Sequence, residues 1–227
     1  MTVGRLLPLC ALIAAASMAS TLAQSSGTVA GTVTLTAARG APLTTSAYGR
    51  RGVAPKPAAA GPETRNVVVY LLGTKAPVPP SPMRAEIAQR GERFLPPVTA
   101  VTIGSTVDFP NHDPFFHNVF SLSRVATFDL GRYPSGRSRS EQFPRPGIVK
   151  VFCDIHSHMT ALIMVLDHPW FTVPAETGVF TLPSVPPGEH TLVAWHERIG
   201  ERRERIRVTA GGTTRISFTL PVLESQP

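Results

Sequence analysis

The residues best equipped for chemistry lie in two stretches, DFPNHDPFFHNVFS and, further along, VFCDIHSHMTALIMV. In the second, Cys153 offers a thiolate, His156 an imidazole and Met159 a thioether, at the spacing C-x2-H-x2-M. In the first, His117 offers another imidazole from a distant strand. A thiolate, two imidazoles and one weak thioether are the donor set that suits copper in both of its oxidation states. Zinc would want a carboxylate or a second cysteine in place of the methionine. The spacing leaves a second arrangement open: His158, at C-x4-H, replaces His156, and Met164 then becomes the axial candidate. His156 with Met159 is preferred because Met164 sits mid-strand, several residues beyond the loop. His112 shares a loop with His117 and is a less favoured ligand. Asn118, next to His117, is suited to crosslinking the two ligand loops by hydrogen bonds.

Cys153 is one of only two cysteines, and the other, Cys10, falls in an N-terminal stretch that reads as an export signal. That stretch, residues 1–23, has Arg5, then the apolar run LLPLCALIAAA, then small residues up to Ala23. Leu9 stands where a lipoprotein leader would carry a small residue, so the expectation is a periplasmic or secreted protein without membrane insertion. A lone thiol in an oxidising compartment needs burial, a metal or a partner. The net charge is +7, most of it from arginine, but the arginines are scattered and not interleaved with aromatics. That pattern predicts a solvated surface and no nucleic-acid partner.

Stepping from the ligands to what must hold them, 23 prolines, 18 glycines and 16% charged residues argue against helical bundles and for short strands joined by turns. GTVAGTVTLTAA and NVVVYLLG are strand candidates, separated by a Gly-, Pro-, Ala- and Arg-rich insert expected to be a flexible loop. TKAPVPPSPMR reads as an extended connector, and MRAEIAQRG as the one short helical candidate. Strands then recur through AVTIGSTVDFPN, HNVFSLS, GIVKVFC and TALIMVLD, and again through TGVFTLPSVPPGEHTLVAWHE and ERIRVTAGGTTRISFTL. The fold class expected is all-β.

Gly104, Thr106, Val107, Phe109 and Asn111, followed by His117, Asn118 and Val119 and then by Cys153, His156 and Met159, resemble the cupredoxins, the plastocyanin-like blue copper proteins, over Ala85 to Asp167. The ligand loop is two residues shorter than the plastocyanin pattern C-x2-H-x4-M. Around this segment, GTVAGTVTLTAARGAPL, NVVVYLLG, GVFTLPSVPPGEHTLVAW and VTAGGTTRISFTL resemble, in order, the carboxypeptidase regulatory-like (transthyretin-like) sandwich. The resemblance implies a Greek-key cupredoxin sandwich at 85–168 inserted into a split transthyretin/Ig-like sandwich made of 24–84 and 169–222, with a tail at 223–227. As a whole the chain is similar to the periplasmic methylamine-utilisation-protein-like family. Strands 27–38 and 66–73 are expected to share a sheet with strands from 178–220.

What these resemblances imply is an electron-transfer protein with one copper per chain and a redox partner such as an exported dehydrogenase or cytochrome. A copper-delivery protein, or a carbohydrate- or protein-binding scaffold using Trp170, Phe171 and Trp195, is the alternative. No enzyme is expected: seven histidines with a single H-x-H pair are too few for a trinuclear copper cluster, and no oxyanion-hole motif accompanies Cys153. His168, His190 and His196 are expected at the surface or at sheet edges. Arg124, Arg132, Arg137, Arg139 and Arg145 are candidates for steering an acidic partner.

Overall fold

The computed structural model of the chain describes residues 25–37 and 63–222. The N-terminal stretch expected to be an export signal, most of the insert after the first strand and the C-terminal residues 223–227 lie outside the described residues. Among the described residues the strands are β1 (Gly27–Ala37), β2 (Val67–Leu72), β3 (Arg84–Glu86), β4 (Ala88–Gln89), β5 (Phe94–Leu95), β6 (Val98–Thr102), β7 (Ser105–Pro110), β8 (His117–Ser123) and β9 (Ala126–Tyr133). They continue as β10 (Ser138–Phe143), β11 (Gly147–Phe152), β12 (Thr160–Leu166), β13 (Phe171–Thr172), β14 (Val179–Val185), β15 (Gly188–His196), β16 (Gly200–Val208) and β17 (Thr213–Val222). The fold is all-β, with one 3-10 turn among the described residues, at Glu63–Asn66.

Two sandwiches account for nearly all of these strands. In the first, a sheet ordered β14-β1-β17 faces a sheet ordered β13-β2-β15-β16. Val29, Val33, Phe180, Leu182 and Phe218 from one meet Val67, Val69, Leu71, Leu192 and Ile206 from the other. β1 and β2 therefore each pair with strands from 178–222, but they lie in opposite sheets and do not share one. β1 must be thin where it passes between its neighbours: a Cβ on Gly31 would lie 1.9 Å from the Ile216 carbonyl oxygen. In the second sandwich, β6-β12-β11-β8-β9 faces β10-β7-β3, with the β4–β5 hairpin alongside. Its core joins Val107, Phe109 and Phe143 to Val119, Val149, Val151 and Ile163, and includes Cys153 and Met159.

Two strands, VVVYLL of β2 and TALIMVL of β12, lack the alternation of a half-exposed strand because both of their faces are covered. Ala161, Ile163 and Val165 of β12 enter the second core. Leu162, Met164 and Leu166 point the other way and pack with Val68, Val98, Tyr70, Phe171 and Trp195 in a third apolar cluster. The outer face of one sandwich thus lies on the outer face of the other, and a Lys150 to Glu197 ion pair of 2.8 Å flanks the contact.

MRAEIAQRG is not helical. Ala85, Ile87 and Gln89 alternate inward while Arg84 and Glu86 face out, and the segment runs as β3 and β4 along β7. The two-residue period of this pattern outweighs the helix propensity of Ala, Glu and Gln, because it lets Ile87 be fully buried.

Candidate metal centre

β8 and β11 are antiparallel neighbours, with Phe120 opposite Phe152, so the start of β8 lies beside the residue that follows β11. This brings His117 and Cys153 together from distant parts of the sequence. The hairpin from β11 to β12 opens after Phe152 and closes at Thr160, and Cys153, His156 and Met159 all lie within it. The Met159 N–H donates to the His156 carbonyl at 2.9 Å, which tightens the loop. Such a short connection leaves no room for further residues between the histidine and the methionine.

Three donor atoms converge. Cys153 Sγ lies 3.9 Å from His117 Nδ1 and 4.0 Å from His156 Nδ1, and the two ring nitrogens are 3.1 Å apart. Among the described residues these three side chains form the one cluster with metal-ligand spacing. A triangle with those sides has a point about 2.1 Å from every corner, against metal–nitrogen and metal–sulfur bonds of roughly 2.0–2.3 Å. The donor set fits one ion without movement of the chain. Cys153 and His117 are buried, whereas His156 is half-exposed at the rim. Met159 is 1% exposed and belongs to the same core cluster as Cys153.

The other candidates lie elsewhere. Met164 is in the third cluster, on the opposite face of its sheet from the Cys153 core. His158 is exposed, its Nε2 3.4 Å from Glu92 Oε2. His112 is exposed in the loop before β8, and its backbone N–H donates to the Gln89 carbonyl. The Asn118 side chain accepts from the Asp154 N–H at 3.3 Å and donates to Asp129 at 2.7 Å, linking β8 to the residue after Cys153 and to β9.

One residue carries a role that the motifs did not single out. Asp113 Oδ2 lies 2.8 Å from His117 Nε2, behind the ring from the thiolate. The same carboxylate accepts the Gly91 N–H at 2.6 Å and the Glu92 N–H at 2.9 Å. Burial pushes the Asp113 carboxyl up, but these hydrogen bonds and the His117 ring outweigh it and hold it below the usual carboxylate range. An acid four residues before His117 was the available signal. Asn111 shapes the loop, donating to the Phe115 and Tyr133 carbonyls and accepting the Asp113 N–H.

Phe115, Phe116 and Ile155 are 39%, 54% and 39% exposed in the two loops that carry His117 and His156, and the Phe115 ring lies 5.5 Å from the half-exposed His156 ring. Of the arginines, Arg132 is paired to Asp154 at 2.8 Å beside the site. Arg139 stacks over the Tyr133 ring and donates to the Leu130 carbonyl, so its charge is committed to packing. Trp170 is buried, with its indole N–H on the Ser184 carbonyl, and Phe171 and Trp195 pack into the junction between sandwiches. They form no exposed stacking face. His168 and His196 are buried, contrary to the surface or sheet-edge positions expected, and His190 is half-buried with its Nε2 on the Pro186 carbonyl.

No family model matches the sequence, and no curated protein matches it. Several solved structures are similar. A copper-containing nitrite reductase from Thermus scotoductus is 26% identical over 43% of this chain and 25% of its own, with a TM-score of 0.36. The chain thus spans about a quarter of the length of that enzyme. A purple cupredoxin from Nitrosopumilus maritimus is 21% identical over 36% of this chain and 99% of its own, with a TM-score of 0.34. Amicyanin from Paracoccus versutus is 20% identical over 43% of this chain and 97% of its own, with a TM-score of 0.34. No helix among the described residues is long and apolar enough to cross a membrane.

Proposed function

We propose that the chain holds one copper ion through His117, Cys153 and His156, with Met159 as a weak fourth ligand, and serves as an electron-transfer protein. The observation that carries this reading is the convergence of one sulfur and two ring nitrogens at 3.9, 4.0 and 3.1 Å. The chemistry the ion supplies is a single-electron change between Cu(I) and Cu(II). What the chain contributes is a fixed donor set. Cys153 belongs to a packed apolar core and His117 is fully buried. Asn118 ties the two ligand loops together. A rigid site changes little between oxidation states, and that keeps the barrier to electron exchange low. Half-exposed His156, with the Phe115 ring 5.5 Å away, is the proposed route out for the electron.

The proposed organisation is an inserted copper domain at 85–168 within a sandwich formed by 24–84 and 169–222. It is supported by the pairing of β1 with β14 and β17 and of β2 with β15. We further propose an exported, periplasmic or secreted, protein whose partner is a redox protein such as an exported dehydrogenase or cytochrome. Titration of the metal-free protein with Cu(II), followed by voltammetry, tests the function. One copper per chain, an intense visible band and a fast reversible wave are expected. A colourless complex that holds Cu(I) tightly without a reversible wave would replace electron transfer by copper delivery.

A further inference from the structure

The last strand of an open sheet leaves a row of N–H and C=O groups unpaired, and folds blunt such edges with charge, proline, kinks or shortness. Seven of the eight sheet edges in the two sandwiches carry a device of this kind. β3 and β13 are three and two residues long. β16 carries Arg202, Arg203, Arg205 and Arg207. β14 is interrupted by Pro183 and by Ser184, whose φ is 57°. β9 has Gly131 at a φ of 66°, and its pairing with β8 slips between Asn118 and Phe120. β10 carries Arg139 and Glu141 and runs out at Pro144, while β6 is five residues long and follows Pro96 and Pro97. The eighth edge is β17, and it differs. Its ten residues, TTRISFTLPV, hold one charge, Arg215, and no proline before Pro221. It runs parallel to β1 in unbroken register from Thr28 opposite Thr213 to Ala37 opposite Val222, so its outer edge is as regular as its paired one. At its start the Thr214 hydroxyl donates to the Arg207 carbonyl at 2.7 Å. Beyond that point no strand flanks its outer edge among the described residues. Phe218 and Leu220 enter the core, whereas Ile216, on the same face, packs against it and stays half-exposed.

We propose that the β17 edge joins two copies of this chain, antiparallel and about a two-fold axis at Ser217, into one continuous sheet. A two-fold interface places the same patch on both partners, so the strand must suit its own reverse. β17 does. With Ser217 at the axis, Arg215 lies opposite Thr219 of the second copy, and the strand's one charge meets a hydroxyl instead of its like. Ile216 lies opposite Phe218, so the half-exposed side chain continues the apolar face of the sheet. Exposed Arg215, Ser217 and Thr219 stay together on the outer face, because the two-residue period of a strand fixes which side each residue takes. Pro221, which has no N–H to give, falls near the end of the ladder, opposite Thr213, where a missing bond costs least. The contact between the two sandwiches uses Val68, Tyr70, Phe171 and Trp195 of the other sheet, so pairing through β17 leaves that junction as it is. Nothing in the proposal depends on the metal.

The test uses the full chain, with light scattering on a size-exclusion column over a dilution series. The wild type is expected to show twice the mass of one chain, falling toward a single chain on dilution. Ser217→Lys sets two ammonium groups against each other at the axis, while in a lone chain the lysine points into solvent from an exposed position. Its mass is expected to halve, with an unchanged circular dichroism spectrum. Ser217→Glu is expected to behave alike, and mixing the two variants to restore the doubled mass, because Lys then meets Glu; a merely misfolded variant would not be rescued in this way. A wild type of single-chain mass at every concentration would overturn the proposal, and β17 amides protected from hydrogen exchange in that monomer would show the edge to be filled by another segment of the same chain. A Ser217→Lys protein that stays dimeric would overturn it as well, placing the contact on another surface.

Discussion

Leu162→Ala probes whether the two sandwiches behave as one body. Leu162 is 1% exposed and lies in the third cluster, between Val98, Met164 and Leu166 of the sandwich that contains Cys153 and Val68 of the other. Removing its isobutyl group forfeits the transfer free energy of a buried leucine, about 1.5–3 kcal/mol. It also leaves a cavity between two sheets that are each braced by their own cores. Partial collapse is the most such walls permit, so the total cost is expected at about 2–4 kcal/mol. Urea unfolding followed by two signals makes the test specific. Both tryptophans, Trp170 and Trp195, belong to the sandwich that contains β2, so fluorescence reports on that side. The visible band of the copper-loaded protein reports on the other. Both midpoints should fall together in Leu162→Ala, with the spectrum of the folded protein unchanged, because Leu162 faces away from the Cys153 core. A loss below about 0.5 kcal/mol, or a shift in only one signal, would refute the reasoning and leave the sandwiches as independent units.

Asn118→Ala removes the bonds to Asp154 and Asp129 from a side chain that is 2% exposed, and should cost about 1–3 kcal/mol; thermal unfolding of the metal-free variant measures it. His168 is stacked between Tyr70 and Trp170, and burial, partly offset by Asp167 and the Leu71 backbone, holds its imidazole below the ordinary histidine range. Since the folded value is depressed, its contribution is complete above the unfolded value of about 6.5 and is lost as pH falls below that toward the folded value. Urea midpoints of wild type should therefore drop between pH 7.5 and 5.5 by more than those of His168→Asn, and equal drops would show that His168 does not titrate differently on folding.

How far the sequence could be read depended on whether a signal was local. The Cys153, His156 and Met159 loop was legible because all three residues sit in one hairpin, and the strands because alternation is a property of neighbours. The continuous apolar runs of β2 and β12 announced burial on both faces, yet nothing in either run says what covers the second face; that needs Leu162 and Val68 to meet. The part played by Asp113 is non-local in the same way. Its role depends on Gly91 and Glu92, brought to it only when β4 lies beside Asn111. The burial of His168 and His196 follows from how the sheets stack and not from their flanking residues. MRAEIAQRG was read by propensity, where the buried side of Ile87 and Gln89 decided the outcome.

Whether Cys153 is a ligand to copper is read from the visible absorption spectrum of the copper-loaded full chain set against that of Cys153→Ser. An intense thiolate-to-copper charge-transfer band is expected in the wild type and should be absent from the variant. A wild type that takes up copper without such a band, or a variant that keeps it unchanged, would contradict the account.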